Sequence, residues 1–249
     1  VLAVVIAFLS CFNGCKKEVE PPDDSAIKDI DGNIYTSVII GEQEWLVQNL
    51  RTTRFRDGSA IPLVTEAGIW SELSTPAYCW YYNDKITFGS YYGALYNWYA
   101  VADSRDICPT GWHIPTDAEF TELETFLTNE YQLPNGWDDL NGIGNNLKSC
   151  RQINSPIGGN CSTGEHPTWN SHNKHFGTNH FGFAALPGGY RCYFHGGFSD
   201  LGNLGGWWCI TEEDELRARK RGIYNEAGIL FRTTAPKRRG YSVRCIKDK

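Results

Sequence analysis

The run CPTGWHIPTDAEF at residues 108–120 decides the fold. Cys108, Pro109, Thr110 and Gly111 suit a turn, and Pro115 followed by Thr116 opens a helix. Thr116 and Glu119 have the spacing of a capping box, in which each side chain satisfies the other's backbone amide. A helix is therefore expected over 116–129, with Phe120, Leu123 and Leu127 on its inner face and Glu122 and Glu124 outward. Two later runs complete the frame: GFAALPGGYR at 182–191, a tight glycine corner, and GYSVRC at 240–245, a closing strand. Cys108 and Cys245 would then join the middle of the chain to its tail.

Outward from this frame the elements are shorter. Residues 29–46 read as a hairpin about Asp31, Gly32 and Asn33, with Tyr35, Val38, Ile40 and Trp45 on its strands. YGALYNWYAVA at 92–102 places Leu95, Trp98, Tyr99 and Ala102 at helical spacing and predicts a second helix. Beyond Leu140 the chain is glycine corners, aromatic residues and brief strand-like stretches, with no 20–50-residue repeat. The expectation is an α+β fold: two helices, then a small, irregular, mostly antiparallel sheet closed by 241–246.

Among 249 residues there are 26 glycines, nine cysteines and 14% aromatics, which suits a loop-rich, disulfide-stapled single domain with large rings in its core. The nine cysteines point to an exported protein. Residues 1–9 are apolar and uncharged, too few to span a bilayer, which takes about 20, and they fit the core of a secretory signal. The chain has no methionine and starts on Val1, so an initiator and basic leader are expected ahead of it. Cys15, between Gly14 and Lys16-Lys17, reads as a bacterial lipoprotein cleavage and lipidation site, with Cys11 as the rival and an ordinary signal as the plain alternative. Residues 1–15 are thus assigned to the signal, 16–28 to a flexible tether and 29–249 to the domain. Of the seven remaining cysteines, Cys150 with Cys161 would staple a Pro/Gly loop, Cys192 with Cys209 is a further option, and Cys79 is the expected free, buried thiol.

The formal charge of −6 hides an asymmetry. From Arg217 onward stand eleven Lys/Arg against Glu226 and Asp248, leaving twelve basic and 27 acidic residues before it. The tail is expected to present a basic surface to an anionic partner, with a plain solvated face as the alternative. Export and the lack of a nucleic-acid motif argue against nucleic acid.

CPTGWHIPTDAEF, FGFAALPGGYR, GGWW followed by TE, and GYSVRC stand in this order, with DIDGNIY, IGEQEWLVQNL, PAYCWYYND and YGALYNWYAV ahead of them. Together they resemble the Fibrobacter succinogenes major paralogous domain family over 29–248. The resemblance implies an exported lipoprotein, carried at the outer membrane or cell surface, with a C-type-lectin-like fold in its formylglycine-generating-enzyme variant. Related domains display changeable side chains on a rigid scaffold. The chain departs from the family pattern at Cys209-Ile210, Arg219-Lys220 and 233–236, while Arg221-Gly222, Arg232 and 240–245 fit. Fixed flanks around altered centres suit a display surface.

Other chemistry is weighed against plainer readings. His172, His175 and His180, with His166 upstream, have spacing that could gather zinc, but loop histidines satisfied by backbone or water are the preferred reading. Asp138-Asp139 and Asn145-Asn146 could supply calcium oxygens, although the sugar-binding signatures of C-type lectins are absent. Neither a GxSxG elbow, an HExxH helix nor a phosphate loop occurs, and Glu212–Asp214 with Glu215 reads as a solvated charge run. No cofactor, metal or catalytic residue is assigned.

The expected role is a lipid-anchored, non-enzymatic binding domain for a cell-surface protein or glycan, with an assembly protein and an enzyme of the formylglycine-generating type as rivals. Trp112, Ile114, Phe183, Leu186, Trp207, Trp208 and Val243 would hold the scaffold. Tyr193, Phe194, His195, Glu213, Asp214, Arg217, Arg219, Lys220, Tyr224, Asn225, Leu230 and Thr233 would form the ligand-binding face, with Arg219 and Lys220 on anionic groups and the rings as flat contacts. Metabolic labelling with a fatty acid should mark the protein and fail on a Cys15→Ser variant. Label that survives there and vanishes in Cys11→Ser would move the anchor.

Overall fold

The capping box forms as its residues dictate. In the structure, a computed structural model that describes residues 26–149 and 169–249, Thr116 Oγ1 accepts from the Glu119 amide at 3.1 Å. Glu119 Oε2 accepts from the Thr116 amide at 2.7 Å. The expected pairing of Cys150 with Cys161, the lipidation cysteine Cys15 and His166 lie outside the described residues.

In chain order the elements are β1 (Ile27–Lys28), β2 (Ile34–Tyr35), β3 (Ser37–Ile40), β4 (Gln43–Leu46), α1 (Ala67–Ser71), β5 (Tyr78–Cys79), α2 (Ser90–Tyr92), β6 (Leu95–Tyr96), α3 (Trp98–Val101) and β7 (Trp112–His113). Then come α4 (Asp117–Tyr131), α5 (Ile143–Leu147), β8 (Gly188–Arg191), β9 (Phe198–Leu201), β10 (Leu204–Glu212), β11 (Arg217–Tyr224), β12 (Phe231–Pro236) and β13 (Ile246–Lys247). The strands form small antiparallel sheets: β3-β4-β13-β7, β10-β11-β12, and the pairs β1-β2, β5-β6 and β8-β9. The α+β reading holds, with two changes at the start. Ile27 and Lys28, read as tether, pair with β2 across the Asp31–Asn33 turn, and β3-β4 is a second hairpin.

The second helix expected over 92–102 does not form. Gly93, at φ +78°, ends α2, and a Cβ there would strike the Leu50 carbonyl oxygen at 2.7 Å. Leu95 and Tyr96 pair with β5, and the Asn97 side chain then caps the one-turn α3 by accepting from the Ala100 amide at 3.1 Å. Residues 92–98 are all buried, so their apolar spacing carries no facial information. Ala102, placed on the inner side by that spacing, is exposed.

The β10-β11-β12 sheet separates two cores. Trp207 packs on the α4 side with Phe120, Leu123, Leu127 and Phe183. Trp208 packs on the other side with Trp112, Ile114, Tyr241 and Val243. Adjacent strand residues face opposite ways, so the paired tryptophans serve one core each. Leu186 is buried as well.

The GYSVRC run ties these parts together. Arg244, wholly buried, donates to the carbonyls of Phe183 and Ala184 and, at 3.2 Å, to Asn49 Oδ1, with its guanidinium 4.3 Å from the Phe183 centroid. The third motif thereby clasps the second. Cys108 and Cys245 are bonded with their Cα atoms 6.0 Å apart. Cys79 is free and buried, as expected, and burial pushes its thiol up to about 12. The Cys192–Cys209 option fails: both are free, because Cys209 points into the α4-side core while Cys192 opens the β8-β9 turn.

The bridge spans 137 residues, which in the loop-closure picture is worth about 5 kcal/mol. A Cys108→Ser, Cys245→Ser double variant should unfold at markedly lower urea concentration. An unchanged midpoint would show that the bridge does not hold the frame.

Candidate functional site

The expected face is assembled by three elements. Tyr193, Phe194 and His195 sit in the β8-β9 turn, Glu213 and Asp214 in the β10-β11 turn, and Arg217, Arg219, Lys220 and Tyr224 on β11. Asn225 and Leu230 lie between β11 and β12, and Thr233 on β12. The structure exposes some of them and buries others. Phe194 is 79% exposed, while Leu230 is 2% and Lys220 4% exposed, so neither of the last two stands on the outer surface. Leu230 belongs to the α4-side core.

Arg219 and Lys220 do not act as the expected pair. Neighbours on a strand point to opposite faces. Arg219 pairs with Glu213 at 2.5 Å, and Lys220 turns onto the rings of Phe231 and Tyr241.

The basic surface expected at the tail is largely cancelled from within. Arg221, fully buried, meets Asp117 at 3.0 Å and Glu124 at 2.9 Å, and Arg232 meets Asp117 at 2.5 Å. Glu124, expected to point outward, is thereby half-buried. Lys237 pairs with Glu212, Arg238 with Glu72, Lys247 with Glu44 and Lys249 with Glu122. Among the described residues Arg217, Lys220, Arg239 and Arg244 meet no carboxylate. Charge counting could not show this, because the partners come from distant segments.

A concavity lies at the tip of β10-β11. It is a groove of about 510 Å³ with apolar walls from Tyr99, Tyr193, Leu216 and Pro236 and charged walls from Asp214, Glu215, Arg217 and Arg238. Three residues of the expected face, Tyr193, Asp214 and Arg217, line it. Arg217 is held across the strands by Thr234, donating to its Oγ1 at 2.8 Å and its carbonyl at 3.1 Å. Asp214 Oδ1 accepts from the Leu216 and Arg217 amides, both at 2.8 Å, which shapes the turn and turns Leu216 outward at 73% exposure. Tyr99, Glu215, Leu216, Pro236 and Arg238 were missed from the sequence. Leu216 alone carried a signal, as an apolar residue inside a charged turn.

The chain matches the family model described as the Fibrobacter succinogenes major domain over residues 38–247. It belongs to that family. No curated protein and no solved structure matches the chain.

In the part described, the histidines of the 172–180 loop contact one another and neighbouring segments. His172 and His175 stack at 5.1 Å, and His175, buried, lies 3.0 Å from the Asn145 amide nitrogen. Asn145 and Asn146, weighed as calcium oxygens, are buried and bound to neighbouring loops. Among the described residues no group of three or more His, Cys, Asp or Glu gathers as a metal site would require. Beside them Lys148, also buried, donates to Asn145 Oδ1 at 3.0 Å and to the carbonyls of Asn225 and Ala227 at 3.0 and 2.8 Å.

Lys220 has no such acceptors. Burial, then the nearby Arg239, pull its ammonium down to about 7. A lysine lowered in the folded state makes stability rise with pH between that value and its ordinary 10.5 or so, because the unfolded chain holds the extra proton there. Lys220→Met should therefore raise the melting temperature most below pH about 7, with the gain shrinking toward pH 10. An equal gain at both ends of that range would contradict the burial of the ammonium.

Proposed function

We propose that this protein is an exported, lipid-anchored, non-enzymatic binding protein of the cell surface or outer membrane. In this reading its domain has the C-type-lectin-like fold in the formylglycine-generating-enzyme variant. The ligand is a cell-surface protein or glycan carrying an anionic group, taken up beside the β10-β11 tip. The observation that carries the reading is the groove itself. Segments at 99, 193, 214–217 and 236–238 meet there and combine flat rings with charged groups of both signs. Such a mixture of apolar wall and a few polar anchors is what ligand pockets use.

The frame beneath the groove supports the same reading. The disulfide, the Arg244 clasp and the two tryptophan-centred cores leave the turns at 192–197 and 212–217 as projections from a rigid base. Turns on a rigid base can change their side chains with little cost to stability, which suits a diversified face. An assembly protein is the second reading, and it draws on the exposed Phe194, Leu216 and Ile210. Exposed apolar side chains of this kind also suit a second copy.

Probing arrays of glycans and cell-surface proteins with the purified chain should give hits that fall together when Tyr193, Leu216 and Arg238 are changed to alanine. Hits unaffected by the triple variant would reject the groove. Sedimentation showing a dimer at micromolar concentration that the same variant dissolves would favour assembly instead.

A further inference from the structure

On the sheet face turned away from α4, Lys220 reaches between two rings. Its Nζ stands 4.5 Å from the Phe231 centroid and 4.6 Å from that of Tyr241. Two glycines make the space. A Cβ on Gly222 would strike the Phe231 ring at 2.4 Å, and one on Gly206 would strike Tyr241 at 2.8 Å. The lysine is 4% exposed, and its Nζ has neither a hydrogen-bond acceptor nor a carboxylate among the described residues.

A second cation shares the Tyr241 ring. The Arg239 guanidinium lies 5.9 Å from the Tyr241 centroid, 4.7 Å from Tyr190 and 5.1 Å from Tyr193. Its Nη1 donates to the Tyr241 hydroxyl at 3.1 Å, but its Nε is buried with no acceptor. Asp200 is the carboxylate that acts on Lys220, through space and without an ion pair. Tyr224 stacks on Phe231 at 5.1 Å and 18°, and Trp137 stands beside Tyr224 at 5.7 Å.

Ring faces attract a cation but accept no hydrogen bond from it comparable to a carbonyl's. The protein shows what a structural lysine of equal burial looks like, because Lys148 is held by three oxygens within 3.0 Å. Lys220 is held by none. Two unpaired cations on one ring lack an anion between them, and burying such charge unpaired is unfavourable. Around them stand the rings of Tyr190, Tyr193, Tyr224, Phe231 and Tyr241, with Thr233 across the strand pair from Lys220, a set suited to the C–H faces and hydroxyls of a pyranose.

We propose that Lys220 and Arg239 receive a negative group borne on a sugar ring, the carboxylate of a uronic acid or the sulfate of a sulfated sugar, with the ring lying on the half-buried aromatic faces around them. The proposal rests on the binding reading above and names the ligand's class. No bond is made or broken, and the anion supplies the acceptors that both cations lack.

Isothermal titration calorimetry of the full chain in detergent, with glucuronic acid, a sulfated disaccharide, glucose and inorganic sulfate, tests it. At least one acidic sugar should bind roughly ten-fold or more tighter than glucose and free sulfate, about 1.4 kcal/mol. Lys220→Met and Arg239→Gln should each remove that margin, while Ile86→Ala, at an exposed residue outside both the groove and the cation pair, should keep it. Acidic sugars that bind no better than glucose would overturn the proposal, as would both cation variants binding like the unchanged chain. If Lys220→Met does not fold, the half-exposed Arg239→Gln decides by itself. An array ligand lost in Leu216→Ala but kept in both cation variants overturns this inference and leaves the binding reading intact. An acidic peptide preferred over every sugar overturns the ligand class.

Discussion

Every layer of this domain depends on the segment 240–247 as a seam. Its backbone bonds in turn to β8 through Arg191 and Gly240, to β6 through Tyr96 and Tyr241, and to β10 through Trp208 and Ser242. It continues through Val243 to Leu50 and Cys245 to Leu46, and β13 then fills the slot between β4 and β7. Such short strands offer few hydrogen bonds each and are marginal alone. One segment that bonds to four of the five sheets draws them into a single cooperative unit. The bond from Cys245 to Cys108 and the hold of Arg244 on Phe183 and Ala184 keep that strand in place.

The charge distribution follows from the same economy. A domain so rich in loops has many carbonyls and turn amides to satisfy, and its arginines do much of that. Arg191 donates to Gly196, Val64 and Thr65, joining the β8-β9 turn to the loop before α1. Arg221 and Arg232 share Asp117 at the start of α4, where a carboxylate also suits the helix N-terminus. Most of the tail's positive charge thus serves cohesion. Lys220 and Arg239, with neither carbonyls nor a carboxylate to hold their charges, are the exceptions around which a ligand can be argued.

The capping box at 116–119 was readable because its chemistry is local: four residues supply both donors and both acceptors. The disulfide was readable because the two motifs that carry it each mark a frame element. The stretch 92–102 misled because burial of all of 92–98 erases the periodicity that separates helix from strand, and Gly93 and Asn97 decided the outcome through neighbours distant in the chain. For the site, residue type pointed to the turns at 193 and 214 and to β11, and Tyr193, Asp214 and Arg217 among them line the groove. It could not say which strand residues face out, and so it paired Arg219 with Lys220 across opposite faces of one sheet.

Local chemistry written in the chain settled the α+β class, the long helix and its cap, the closing strand with its bridge, and the family. The contents of the groove, the burial of Lys220 and Leu230, and the silencing of the basic tail were settled by packing between segments far apart in sequence. The physical reason is that cap and turn energies depend on a few consecutive residues. Burial, ion pairing and the meeting of turns depend on which surfaces the seam brings together.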